Sequence, residues 1–287
     1  MSYRVTFWGV RGSIPTPGGD TARYGGNTSC LAVEHDGAGP DRMLILDAGT
    51  GIRPLGRTLM GRAKGSLKVD LLITHTHWDH IQGLPFFTPF FAGANQVRIH
   101  GPQQGETPLE QILRQQMHPV VFPVPLDALA AELTVNHVSP GTFRVDGFDV
   151  QAMRLRHPGI TLGYRLTPEG GGPSMAYVTD NELGPGGNYS VGPTWRSELV
   201  EFLDGVEVLI HDAMYTDEEL NDLRGWGHSS PTEAIQLARD TGVRQLVLFH
   251  HRPEHDDTAM DALLKAAQKV AGRLDVVAAT EGLTLTL

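Results

Sequence analysis

Short apolar runs bounded by glycine or polar turns punctuate the first third of the chain, at residues 5–8, 31–33, 43–46 and 69–73. Runs of this length and composition predict strands. The same kind of run recurs at 175–178, 206–210, 246–249 and 274–277, now alternating with stretches of helical periodicity. Helices are expected near 106–117, where Leu109, Ile112 and Leu113 recur at i, i+3 and i+4, and at 194–203, 231–241 and 257–272. The third of these has a defined start: Ser230 caps, Pro231 suits the first helical position, and Glu233 completes a capping box. The opening residues 1–8 read as an edge strand. The loosest stretch, 184–193, reads either as a solvated connector or as a mobile lid that brings Tyr189 over a pocket.

Composition narrows the class. A chain of 287 residues, 40% hydrophobic and 20% charged, can bury a large core. We expect a single domain over 1–287 built from two αβ halves, roughly 1–155 and 156–287. No apolar stretch reaches the roughly 18 residues of a spanning helix, so no membrane role is expected. The lone Cys30 excludes a disulfide within the chain, and a cytoplasmic location is expected. A net charge of −10 argues against an extended surface for long nucleic acid. A small anionic substrate stays open, because bound cations would invert the local field.

The 13 histidines carry more information. In the run 71–80 an apolar strand leads straight into His75, His77, Asp79 and His80. Polar groups this dense at a strand end need a partner that offsets their desolvation, and a metal is the usual one. Alternation points His75 and His77 to one side, while the next turn carries Asp79 and His80 to a second position nearby. His157, Asp180 and the pair His250 and His251 also follow predicted strands, and strand ends converge on one edge in α/β architectures.

With these residues in place the sequence resembles the metallo-β-lactamase-fold hydrolases, and within them the phosphodiesterase branch of tRNA 3′-processing endonucleases and cyclic nucleotide phosphodiesterases. The resemblance runs from the stretch 9–13 (Gly-Val-Arg-Gly-Ser) and 26–29 (Gly-Asn-Thr-Ser) through 47–51 (Asp-Ala-Gly-Thr-Gly), the His-x-His-x-Asp-His run and the later strand ends. It implies an α/β fold, a four-layer αββα sandwich of two mixed β-sheets flanked by helices. It implies two divalent metal ions, one held by His75, His77 and His157, the other by Asp79, His80 and His250, with Asp180 between them. His251 is the alternative to His250. Asp47 would brace the metal loop without binding metal. Asp212 and His228 resemble the branch's proton-handling pair, although Asp stands where Glu is commoner and its shorter side chain puts the reach in question.

Zinc is the expected metal, with manganese, iron or cobalt as alternatives. The implied chemistry is attack on a phosphodiester by a hydroxide held between the cations, with His228 protonating the leaving group. Arg11 and Asn27 are candidate substrate contacts, Arg11 equally a structural turn residue. The tRNA enzymes carry an arm between the positions of His157 and Asp180; here only 22 residues separate them. That spacing and the net charge favour a small phosphodiester, foremost a cyclic nucleotide, over precursor tRNA. A thioester, lactone or β-lactam substrate and a non-catalytic metal sensor are weaker alternatives. The aromatic stretch 84–130 (Phe86, Phe87, Phe90, Phe91, Phe122) is either a nucleobase wall or ordinary packing, and the family's habit implies a homodimer.

Overall fold

The alternating and wholly apolar runs assemble into two sheets. The computed structural model describes residues 2–287, and among them fourteen strands form two seven-stranded sheets. The first contains β1 (Tyr3–Gly9), β2 (Cys30–His35), β3 (Arg42–Leu46), β4 (Lys68–Leu72), β5 (Gln96–Gly101) and β6 (Glu132–His137). Between them lie α1 (Ile52–Arg62), α2 (Trp78–Ile81) and α3 (Leu109–Gln116). The second contains β7 (Gly141–Val145), β8 (Phe148–Arg154), β9 (Leu162–Pro168), β10 (Met175–Val178), β11 (Val208–Asp212), β12 (Gln245–Phe249) and β13 (Asp275–Ala278). Its helices are α4 (Trp195–Leu203), α5 (Leu220–Leu223), α6 (Pro231–Asp240) and α7 (Asp257–Ala271). The last strand, β14 (Thr284–Thr286), returns to the first sheet.

The two sheets repeat one plan. An antiparallel meander, β1–β3 or β8–β10, is followed by three parallel strands, β4–β6 or β11–β13. Alternation in β1 sends Tyr3, Val5 and Phe7 into the space between the sheets, where they meet Phe148, Val150, Tyr164, Tyr177 and Phe249. The outer face of the first sheet packs Met43, Ile45, Val69 and Leu71 against Ile52, Leu55 and Leu59 of α1. The outer face of the second packs Leu209, Leu246 and Leu248 against α4 and α6. Each such fully buried side chain contributes roughly 1.5–3 kcal/mol relative to exposure. The result is the expected four-layer αββα sandwich. No helix among the described residues is long and apolar enough to cross a membrane.

Three expectations change. The opening strand is not an edge, because β14 pairs antiparallel with β1 on the side away from β2. The division of the halves falls near 139 and not 155: β7 and β8 pair onward to β9, so they belong to the second sheet. Helix α1 had no counterpart among the expected helices, since Pro54, Gly56 and Gly61 dilute its pattern while burial of Ile52, Leu55 and Leu59 stabilises it. The capping box of α6 forms as expected, Ser230 and Glu233 each accepting from the other's backbone N–H.

What matters for the site is one edge. Asp47 follows β3, the His75 run follows β4, His157 follows β8, Asp180 follows β10, Asp212 ends β11 and His250 follows β12.

Candidate metal centre

These carboxyl ends bring together two groups whose ligand atoms lie within 4.8 Å of one another: His75, His77, His157 and Asp180, and Asp79, His80, Asp180 and His250. Asp180 belongs to both. Its Oδ2 lies 3.6 Å from His75 Nε2 and 3.5 Å from His157 Nε2, and its Oδ1 lies 3.1 Å from His80 Nε2 and 3.2 Å from His250 Nε2. His157 Nε2 is 3.0 Å from His77 Nδ1, and Asp79 Oδ2 is 3.0 Å from His250 Nε2. Ligands bound tetrahedrally at about 2.0–2.1 Å stand about 3.4 Å apart, so these spacings fit a metal ion. The buried Nε2 atoms of His75 and His80 have no hydrogen-bond partner among the described residues, and a cation is what would satisfy them.

Behind three of the rings, those of His75, His80 and His157, a fixed acceptor sets the tautomer. Asp47 Oδ2 accepts from His80 Nδ1 at 2.8 Å and from the Tyr177 hydroxyl at 2.9 Å, while Asp47 Oδ1 accepts from the Thr74 amide at 2.8 Å. The Thr74 hydroxyl accepts from His75 Nδ1 at 3.1 Å, and the Gly227 carbonyl accepts from His157 Nδ1 at 2.9 Å. These three rings therefore turn Nε2 inward, the arrangement that orients metal-binding histidines. Asp47 thus ties both ends of the 74–80 stretch to the end of β3.

Electrostatics point the same way for three of the rings, whereas at His80 the carboxylates of Asp180, Asp79 and Asp47 outweigh burial and lift the imidazole well above its ordinary value. Burial holds His75 and His77 below the ordinary imidazole value and pushes His157 down to about 4, which keeps them neutral and available as ligands. Burial alone would raise the Asp180 carboxyl, but the rings of His250, His80, His75 and His157 hold it well below the usual carboxylate range. Backbone strain concentrates here as well. Of five described non-glycine residues with positive φ, four are Ser13, Asp47, Asp180 and His250. Such conformations persist where the surroundings over-determine them, commonly at functional sites.

His250 is the residue in the cluster; His251 points away, its Nε2 bonded to the Ala279 carbonyl at 2.8 Å. Asp212 reaches His228 after all: Oδ2 accepts from Nδ1 at 2.6 Å. The His228 ring stacks on His250 at 5.1 Å and meets His157 edge-on at 5.1 Å. Burial lowers its pKa, but Asp212 outweighs this and lifts it to about 9.

The candidate substrate contacts fare differently. Arg11 is wholly buried, donating from Nε to the Gly25 carbonyl at 2.8 Å and from a terminal nitrogen to those of Arg252 and His255 at 3.1 and 2.6 Å. It is a structural turn residue, because backbone carbonyls take these donors. Asn27 is tied to Glu281 through its side-chain amide at 3.0 Å and its backbone at 2.7 Å. Tyr189 donates to Glu182 at 2.5 Å and lies under the Arg156 guanidinium, so it is anchored beside the site and not suspended over it. In the aromatic stretch Phe87 and Phe90 are core residues, whereas Phe86 remains half exposed with Phe122 edge-on against it.

Two groups escaped sequence reasoning. The Ser13 amide donates to Asp79 Oδ2 at 2.7 Å, and a Cβ on Gly12 would stand 2.4 Å from the His250 ring. The 9–13 stretch thus cradles the second group, which its glycines signalled only through close approach. Gly227 holds His157 from φ +88, and a Cβ there would lie 2.3 Å from His157 Nδ1. Gly227→Ala is therefore expected to cost roughly 1–3 kcal/mol and to displace the ring. Thermal melting and metal content check this; full metal content would refute it.

A buried His and Asp cluster at the edge of an αββα sandwich defines a metal-dependent hydrolase. The chain belongs to the beta-lactamase superfamily, whose domain model, described as "Beta-lactamase superfamily domain", matches residues 42–251. It is 28% identical to a ribonuclease Z of Haloferax volcanii, covering 87% of this chain and 84% of the relative. It is 30% identical to a ribonuclease Z of Halalkalibacterium halodurans, covering 69% and 74%. Among solved structures, the metallo-beta-lactamase fold protein YhfI from Bacillus subtilis superposes with a TM-score of 0.70 over the whole of both chains at 18% identity, which speaks to the fold.

Proposed function

We propose that this chain is a phosphodiesterase that cleaves RNA, in the manner named for its ribonuclease Z relatives. The observation that carries phosphodiester chemistry is the Asp212–His228 pair, seated 2.6 Å apart against His250 and His157. His75, His77 and His157 would hold one divalent ion and Asp79, His80 and His250 the other, with Asp180 shared. The imidazole-rich set suits zinc. When bound, such a pair supplies Lewis acidity to phosphoryl oxygens and lowers the pKa of water.

The chain's own groups do the rest. His228, kept protonated by Asp212, delivers a proton from its second nitrogen to the departing ribose oxygen. Asp212 is itself fixed by the Met214 amide at 2.9 Å and the Ser229 amide at 3.3 Å, so the imidazole is held in one orientation. The Ser13 amide orients Asp79, and Asp47 orients His80.

The order of the two substrate readings changes from the sequence-based one. Two relatives named ribonuclease Z, matched over most of their length, favour RNA. One observation keeps the small-substrate reading: β9 and β10 are joined by residues 169–174 alone, with no inserted arm to grip a folded RNA. Metal-loaded protein incubated with precursor tRNA and, separately, with cyclic mononucleotides decides between them. Cleavage at the 3′ end of the acceptor stem is the expected result. Turnover of cyclic nucleotides with intact precursor would reverse the order, and inertness to both would sink the phosphodiesterase reading.

A further inference from the structure

Glu182 is fully buried and, among the described residues, forms no ion pair and no side-chain hydrogen bond to a candidate ligand. A buried carboxylate is costly unless its hydrogen bonds are placed to some purpose. Here one oxygen collects three of them. Oε2 accepts from the amides of Gly225 and Gly227 at 2.9 and 3.1 Å and from the Tyr189 hydroxyl at 2.5 Å.

The neighbours of these groups explain the arrangement. The Glu182 amide donates to the carbonyl of Arg156, the residue before His157, at 2.9 Å. Gly227 precedes His228, and its carbonyl holds His157 Nδ1. Glu182 itself stands two residues after Asp180. Arg156 closes the ring by donating to the carbonyls of Gly184 and Gly186 at 2.9 and 3.1 Å. Three segments, bearing His157, Asp180 and His228, therefore meet at one residue, the first through the Glu182 amide and the last through its carboxylate, to which Tyr189 also fastens the 184–193 loop.

We propose that Glu182 is a positioning residue that clamps the 225–228 turn, and through the Gly227 carbonyl fixes the His157 ring for metal. Gly227 sits at φ +88, one of several conformations open to a glycine, so the turn is pinned there by its hydrogen bonds and not by its own sterics. The two amide bonds to Glu182 supply that hold. A slackened turn would let His157 swing and His228 drift from Asp212 together. Partners behind metal-bound histidines typically change affinity by about 10–100-fold when removed.

The proposal rests on the ligand set above, and the test separates the two. Metal-free protein is titrated calorimetrically with zinc, using wild type, Glu182→Met, which fills the space without accepting hydrogen bonds, and Glu182→Gln, which keeps an acceptor oxygen. Wild type that takes up no zinc would refute the ligand set. The expected result is two binding events in wild type, one of them weakened about tenfold or more in E182M. E182Q, whose amide oxygen still accepts from both glycines, should recover most of the loss. With a model phosphodiester E182M should lower kcat with KM nearly unchanged. Wild-type zinc affinity in a folded E182M, whatever its melting temperature, overturns the proposal. Where E182M does not fold, Tyr189→Phe decides: it removes one of the three bonds and should weaken the same event about two- to fivefold, and unchanged affinity overturns the clamp.

Discussion

Asp180→Asn should yield a folded protein that has lost phosphodiester hydrolysis by at least about a thousandfold and binds fewer metal ions. Asp180 is the one carboxylate whose two oxygens face both groups, within 3.5–3.6 Å of His157 and His75 on one side and 3.1–3.2 Å of His80 and His250 on the other. An amide of the same shape keeps one oxygen, loses the charge and turns an N–H toward one pair of imidazoles. Asn tolerates the left-handed backbone at φ +43 about as well as Asp, so the turn itself should survive. Circular dichroism melting, metal analysis and initial rates on one preparation check the three parts. A variant with two equivalents of metal and more than about a tenth of the rate would remove Asp180 from its place between the ions.

How much of this was legible follows from how local each signal is. The run from β4 into His75, His77, Asp79 and His80 needs only the strand and the turn after it, and the capping box of α6 needs four adjacent residues. Both forecasts match the structure. Asp180 and His157 were marked by their places after apolar runs, which the parallel strands carry to one edge. Arg11 could not be read the same way. Its glycine neighbours say only that the backbone is close to something, and the carbonyls that occupy it come from Gly25, Arg252 and His255, up to 244 residues away. The same holds for β1, whose neighbour β14 lies at the far end of the chain. The choice between His250 and His251 turns on a positive φ at His250, which no residue type signals when the residue is not glycine. Tyr189 looked free because the loop around it is rich in glycine, yet its partner Glu182 lies only seven residues back. A buried acid that accepts only from backbone and hydroxyl donors leaves no charge pattern to find.

The second large effect concerns the leaving group. His228→Ala should slow cleavage of an RNA linkage by about 10²–10⁴-fold, because the departing ribose oxygen leaves as a strong base without a proton donor. The same variant should lose much less on a p-nitrophenyl phosphodiester, whose phenolate departs unaided. That contrast separates an acid from a residue that only packs against His250 and His157, since loss of packing would slow both substrates alike. The pH dependence carries the sign. As the proposed acid, His228 would act in its protonated form, so its contribution would be full below its pKa and lost as pH rises through it. Burial works against protonation, and Asp212 overcomes it to place the pKa at about 9. The alkaline limb of kcat/KM on RNA should therefore lie above the ordinary imidazole value in wild type. Asp212→Asn keeps the shape of the partner but removes its charge, so burial loses its main opponent and only Asp180 and Asp79 still act against it. The limb should then retreat toward or below the ordinary imidazole value of about 6.5, narrowing the active range from its alkaline side. Equal slowing of both esters by His228→Ala, or an alkaline limb that Asp212→Asn leaves in place, would transfer the proton donation to another group.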